Sequence, residues 1–178
     1  MSALGFRRRR AKTGAAPDNK AIIRQLFEGT WAGDPDVTDR YVAPTYIGYE
    51  PSQESPIEGI DGFKAFIQRF RDSFSNTHVT IEEQIAEDDT VATRWTGRGT
   101  HTGEISGIAP TGKDVTITGV SISRIENGKL VEDHTTWDTL GLLVQLGAIP
   151  AIRTPEQQQE HFHEHEHEHE HEHEHQAY

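Results

Sequence analysis

The sequence predicts one α+β domain, with helices packed on one face of a strongly curved antiparallel sheet, and three observations carry that prediction. The long helical spacings lie in the first part of the chain, and from Asn76 to Trp137 the texture is Val, Ile, Thr and Trp in runs broken by turn residues. Over Gly59 to Phe74, the residues Phe63, Phe66, Ile67, Phe70 and Phe74 recur at threes and fours, which marks a helix laid on a sheet. Near the end, Asn127-Gly128 separates two β-rich runs, and both residues of such a turn must reach positive φ.

The elements follow in order. Asp18 caps a helix in which Ile22, Ile23, Leu26 and Phe27 share a face, ending near Gly29 to Gly33. Asp36 to Tyr41 reads as a shorter helix, and Tyr46 to Glu50 as a short extended piece. Four strands are predicted at His78 to Ile85, Thr90 to Thr100, Lys113 to Ile125 and Lys129 to Trp137. The turns between them lie at Glu87-Asp88-Asp89, Ala109-Pro110-Thr111-Gly112 and Asn127-Gly128, so these strands should pair antiparallel. Asp138 then caps a short apolar helix that stops at Gly147, where glycine suits a left-handed end.

At 178 residues the chain is long enough for one buried core. Its mean hydropathy of −0.70 is depressed by the ends. Residues 1–17 read as a flexible basic arm carrying Arg7 to Arg10, residues 18–150 as the domain, and residues 151–178 as a disordered linker and His/Glu-rich tail. The seven acids between Glu160 and His175 account for the move from −5 to −12 in formal charge, so the acidity says little about partners. With no cysteine there is no disulfide, thiolate catalysis or Cys-ligated zinc. No run approaches the roughly 20 apolar residues of a membrane span, and no apolar segment follows Arg7 to Arg10 as a secretion signal requires. The cytoplasm is the default location, with neither membrane nor nucleic acid as partner.

Between Asp18 and Pro150 the chain resembles the SnoaL-like polyketide cyclase and ester cyclase family of the nuclear-transport-factor-2-like superfamily. The resemblance is carried by Arg94-Trp95-Thr96, Gly99-Thr100-His101-Thr102-Gly103, Gly107 to Gly112, Arg124-Ile125, Asn127-Gly128-Lys129-Leu130 and Asp138 to Gly147. It implies a cone-shaped domain around one pocket, a homodimer through the outer sheet face, and cofactor-free ring closure by intramolecular aldol chemistry. It also implies an essential Asp six residues after the hairpin Lys, a position held here by Thr135. The family His, three residues before the Arg that precedes the hairpin, falls at Ser121. Neither hydroxyl ionises near neutral pH, so the family's acid/base pair is absent from its usual positions.

Two residues remain as candidate proton carriers. If Thr135 points inward, strand parity turns Val131, Asp133 and Trp137 inward too, and Glu132 and His134 outward. A carboxylate in an apolar pocket has its pKa raised by desolvation, which suits proton transfer. The competing reading pairs Asp133 with Arg94, Arg98 or another cation in a structural bridge. His101 stands where related cyclases carry a His at the pocket mouth, and its competing reading is a strand-end His bonded to backbone. Tyr46, Tyr49, Trp95, Ser121, Thr135 and Trp137 are the candidate ligand-binding residues, with core packing as the alternative for the aromatics.

These features point to a cyclase, isomerase or hydrolase acting on a small apolar or polyketide-like molecule without a cofactor. A binding protein that has lost catalysis is the alternative. A third function lies in the tail, where His161, His163, His165, His167, His169, His171, His173 and His175 can hold a divalent metal, whether the repeat is native or a purification handle.

Overall fold

The computed structural model describes residues 18–150; the expected basic arm and the His/Glu tail, with the histidines expected to hold a metal, lie outside the described residues. Helix α1 (Asn19–Ala32) starts at Asp18, whose carboxylate accepts from the Lys20 N–H, and ends at Gly33 with φ 84°. Helix α2 (Asp36–Tyr41) leads into strand β1 (Val42–Tyr49), followed by the two-residue β2 (Ile57–Glu58) and the aromatic helix α3 (Gly59–Ser73). Strands β3 (Phe74–Glu87), β4 (Thr90–His101), β5 (Asp114–Glu126) and β6 (Lys129–Trp137) form the meander, and α4 (Thr139–Leu146) closes the described chain. Asn127 and Gly128 take φ of 51° and 80° at the β5–β6 turn, as the sequence predicts.

The six strands lie in the order β2-β1-β6-β5-β4-β3 in one open sheet, with the helices against its inner face. The α+β class stands, but the sheet is mixed. The meander strands pair antiparallel, whereas β1 runs parallel to β6. The expectation of a wholly antiparallel sheet rested on short connections, and β1 is separated from β6 by most of the domain, so no hairpin constrains its direction. Phe74, expected on the helix, instead opens β3 with φ −130° and ψ 128°.

One buried cluster gathers α1, α2 and the β1 end of the sheet around Ile22, Ile23, Leu26, Val42, Val91 and Leu130. A second joins Phe70 and Phe74 to Val115, Leu142 and Leu146. Phe66 packs against both. Asp138 caps α4 by accepting from the Gly141 N–H at 2.7 Å. The Gln145 amide then bonds both the N–H and the C=O of Thr116, continuing the β5 ladder where β6 has ended.

Candidate functional site

A cavity of about 120 Å³ lies between the inner sheet face and helices α1 and α3. All three tryptophans of the chain, Trp31, Trp95 and Trp137, wall it, together with Phe27, Phe63, Phe66 and Phe70. Polar side chains are few: Thr30 on α1, and Ser121, Asp133 and Thr135 on β5 and β6. No Arg, Lys or His is among the lining residues described.

The polar groups on the sheet form one chain of hydrogen bonds. The Trp95 indole N–H donates to Ser121 Oγ at 3.2 Å, and Ser121 Oγ lies 2.7 Å from Thr135 Oγ1. Thr135 donates to Asp133 Oδ2 at 2.7 Å, and Ser123 donates to Oδ1 at 2.6 Å. Ser121 and Thr135 are register partners across β5 and β6. The carboxylate itself stands one pleat repeat earlier, on the same face as Thr135. Burial pushes the Asp133 carboxyl above its ordinary pKa, and the bonds from Ser123 and Thr135 offset only part of that rise.

No cation bonds Asp133 among the described residues. Arg94 pairs with Glu83 at 3.6 Å on the exposed face, and Arg98 is also exposed. The structural-bridge reading of Asp133 therefore has no partner there.

The rest of β6 differs from simple alternation. Arg124 faces Glu132 and Ile125 faces Leu130, so Val131 has no register partner on β5. This bulge turns Leu130 into the core instead of Val131, and beyond it Asp133, Thr135 and Trp137 line the cavity as parity predicts.

Glycines make room for the aromatics. Gly119 is the register partner of Trp95, and a Cβ there would stand 2.3 Å from the indole Cζ2. The bare backbone lets the ring lie across β5 and reach Ser121. Gly119→Ala is expected to cost about 1–3 kcal/mol, as overpacking does, and to swing the indole into the cavity. Denaturant unfolding reads the first effect, and a change in tryptophan emission reads the second. Gly48 plays the same part on β1: it is the register partner of Asp133, and a Cβ there would lie 2.1 Å from the Tyr46 hydroxyl.

Three of the candidate residues sit elsewhere than expected. Tyr46 is buried, edge-on to Phe63 at 5.4 Å, and stands behind the cavity wall. Burial, then the charges of Asp133 and Glu50, push its pKa up, so the phenol stays protonated. Tyr49 is 42 % exposed on the outer face and stacks on His134 at 4.6 Å. Residues three apart on a strand face opposite sides, so Tyr46 and Tyr49 cannot line one pocket. His101 is fully buried but is not a cavity residue; its Nδ1 accepts from the Thr111 N–H at 3.2 Å and its ring packs on Phe74 at 5.4 Å. The backbone-bonded reading describes it: His101 pins the connection from β4 to β5, whose Gly103 lies against the Asp72 and Ser73 backbone.

Two polar residues escaped the sequence reading. Glu50, buried at the end of β1, accepts from the Trp137 indole N–H at 3.1 Å and from the Ser52 N–H at 3.1 Å, and so orients a cavity wall. Parity with Tyr46 and Gly48 was the available signal. Thr30 has a buried Oγ1 that lacks a hydrogen-bond partner among the described residues, at a position lining the cavity. A buried hydroxyl without a partner is a place where a ligand's polar group can bond. Among the described residues there is no group of three or more His, Asp or Glu placed to hold a metal, and no helix long and apolar enough to cross a membrane.

The same arrangement of helices over a curved sheet recurs in known proteins. TsrD from Streptomyces laurentii is 30% identical with a TM-score of 0.65, the match covering 73% of this chain and 98% of that one. IdmH from Streptomyces antibioticus, described as a candidate polyketide cyclase, is 28% identical with a TM-score of 0.66, covering 73% and 99%. AclR from Streptomyces galilaeus, described as a candidate hydroxylase, is 25% identical with a TM-score of 0.68, covering 76% and 89%. No curated protein matches the chain. The family model for SnoaL-like polyketide cyclases matches residues 20–146, which takes in every element from α1 to α4, and the chain belongs to that family.

Proposed function

We propose that the protein performs cofactor-free acid/base chemistry on a small, largely apolar, ring-bearing or polyketide-like molecule, with Asp133 as the proton carrier. The observation that carries this reading is a carboxylate facing an aromatic cavity with two hydroxyl partners and no cation among the described residues. A raised pKa brings such a group toward the pH at which it both takes and returns a proton. The description of IdmH as a candidate polyketide cyclase supports the cyclase class, and the hydroxylase description of AclR shows that relatives of this fold are assigned other chemistry.

Deuterium exchange into 2-tetralone tests the reading. This neutral bicyclic ketone carries acidic C–H bonds between a ring and a carbonyl, and fits the character of the walls. Exchange in D2O above the buffer rate is the expected result, rising with pH through the Asp133 titration. Saturable binding without exchange would favour the binding protein over the enzyme.

A homodimer through the outer sheet face belongs to the same proposal. The register places Ile85, Ala92, Ile122, His134 and Tyr49 in one row across five strands, and Ile85 and Ile122 are 64% and 49% exposed. Such a row suits a second copy of the same face. Beside it, Arg124 donates to Glu132 at 2.7 Å, and that bond, with the one from His134, holds the Glu132 carboxyl below its usual pKa. Ile122→Glu is expected to convert a dimer to a monomer in sedimentation equilibrium. A wild-type monomer would remove the proposal.

A further inference from the structure

The chain of bonds from Asp133 to Trp95 has two self-consistent polarities. With the carboxylate ionised, Thr135 donates to Oδ2, which leaves Ser121 to donate to Thr135 and to accept from the Trp95 indole. With a proton on Oδ2, the carboxyl donates to Thr135 and Thr135 to Ser121. The Ser121 hydroxyl hydrogen is then released toward the cavity, because its oxygen already accepts from both Trp95 and Thr135. Each hydroxyl carries one hydrogen, so moving one proton reverses every bond between the carboxyl and the cavity.

We propose that Asp133, Thr135 and Ser121 form a two-hydroxyl proton relay, in which Ser121 exchanges the proton with the bound molecule and Thr135 carries it to and from the carboxylate. The proposal rests on the acid/base reading above and names the group that meets the ligand. In the forward step a substrate C–H gives its proton to Ser121 Oγ, leaving the electron pair on the substrate as an enolate. Ser121 gives its own hydrogen to Thr135, and Thr135 gives its hydrogen to Asp133 Oδ2. One negative charge passes from Asp133 to the substrate, and the reverse sequence returns the proton. Ser121 is thus a catalytic residue and Thr135 a positioning and conducting one. Ser123 holds the other carboxylate oxygen in both states.

Trp95 supplies a reporter that needs no substrate. As Asp133 ionises, Ser121 changes from sharing its oxygen between two donors to donating to Thr135, which itself donates to the anion, and this strengthens Ser121 as the acceptor for the Trp95 N–H. The Trp95 indole proton resonance should therefore move downfield, tracking the Asp133 carboxyl carbon in a pH titration of the labelled full chain. The other titratable groups near the carboxylate are Tyr46 on β1 and His134 on β6, and Glu50, just past the end of β1, acts on Tyr46; α1 and α3 add none to the cavity wall among the described residues. The Trp137 indole, bonded to Glu50, reports that residue separately.

Thr135→Val keeps the shape and both ends of the relay but removes the link. The expected result is a Trp95 resonance that no longer follows Asp133, whose carboxyl carbon still titrates, and Thr135→Ser restores the coupling. Asp133→Asn should fix the Trp95 resonance near its low-pH wild-type position, since the amide N–H donates to Thr135 as the protonated acid does. A wild-type Trp95 resonance that stays flat through the Asp133 titration overturns the relay, as does coupling that survives Thr135→Val. In the exchange assay, Ser121→Ala and Thr135→Val should each lose about tenfold or more. If wild type gives no exchange, the acid/base reading fails while the resonance titration still decides the relay.

Discussion

Asp133→Asn is expected to lower the 2-tetralone exchange rate by about 10²–10⁴-fold, the usual loss on removing a general base, while making the protein more stable above neutral pH. The two effects share one cause. Burial raises the folded-state pKa of Asp133 above its unfolded value of about 3.9. A carboxyl whose pKa rises on folding binds its proton more tightly in the native state, so its stabilising contribution is complete below the unfolded pKa and is lost as pH rises through the folded one. Above that point the ionised side chain is a net cost to the fold, about 1.4 kcal/mol for every tenfold by which folding weakens the acid. Asparagine keeps the shape, accepts from Ser123 through its oxygen and donates to Thr135 through its nitrogen, so both ends of the amide keep the partner the carboxylate had. Melting temperatures measured from pH 4 to 9 should converge for the two proteins at the acid end and separate in favour of Asp133→Asn at the alkaline end. Equal stability across that range would mean that the carboxylate is solvated in the folded state, and the mutant's loss of exchange would then need another explanation.

The parts of this site that could be read from sequence were those governed by local rules. The period of the aromatic stripe on α3, the positive φ demanded by Asn127-Gly128 and the capping of α4 by Asp138 each depend on a few neighbouring residues, and each is present in the structure. The inward direction of Asp133 followed from parity with Thr135, because both lie beyond the bulge at Val131. Parity failed at Val131 itself, since a bulge leaves no mark in composition. Tyr49 could have been placed outside by counting from Tyr46. The rest was non-local. Nothing near β1 or β6 announces that the two pair in parallel, yet that pairing sets Gly48 against Asp133. Likewise, His101 is sealed by a loop whose path depends on packing against Phe74 and Ser73.

The cavity's charge balance leads to the second large effect. A ring carboxylate such as 2-naphthoate is expected to bind about 100-fold more weakly than 2-tetralone, although the two share the same two-ring size. Inside an aromatic enclosure there is little solvent to screen a ligand anion from Asp133, and like charges brought together at such a place cost several kcal/mol. About 3 kcal/mol already corresponds to more than a hundredfold in affinity. No positive side chain lines the described wall to offset this. Arg71, which approaches the end of α1, is held by the carbonyl oxygens of Thr30 and Trp31 at 3.1 and 3.3 Å and does not line the cavity. A neutral ketone meets the opposite situation, because its carbonyl can accept from Thr30 Oγ1 or from Ser121 when Asp133 carries its proton. The discrimination should therefore widen as pH rises through the Asp133 titration, and Asp133→Asn should remove most of it by strengthening carboxylate binding while leaving the ketone nearly unchanged. Isothermal titration of both ligands into both proteins at two pH values measures all eight affinities. Equal wild-type affinities for the acid and the ketone would show that a positive charge reaches the cavity, and a neutral substrate class would then no longer follow from its walls.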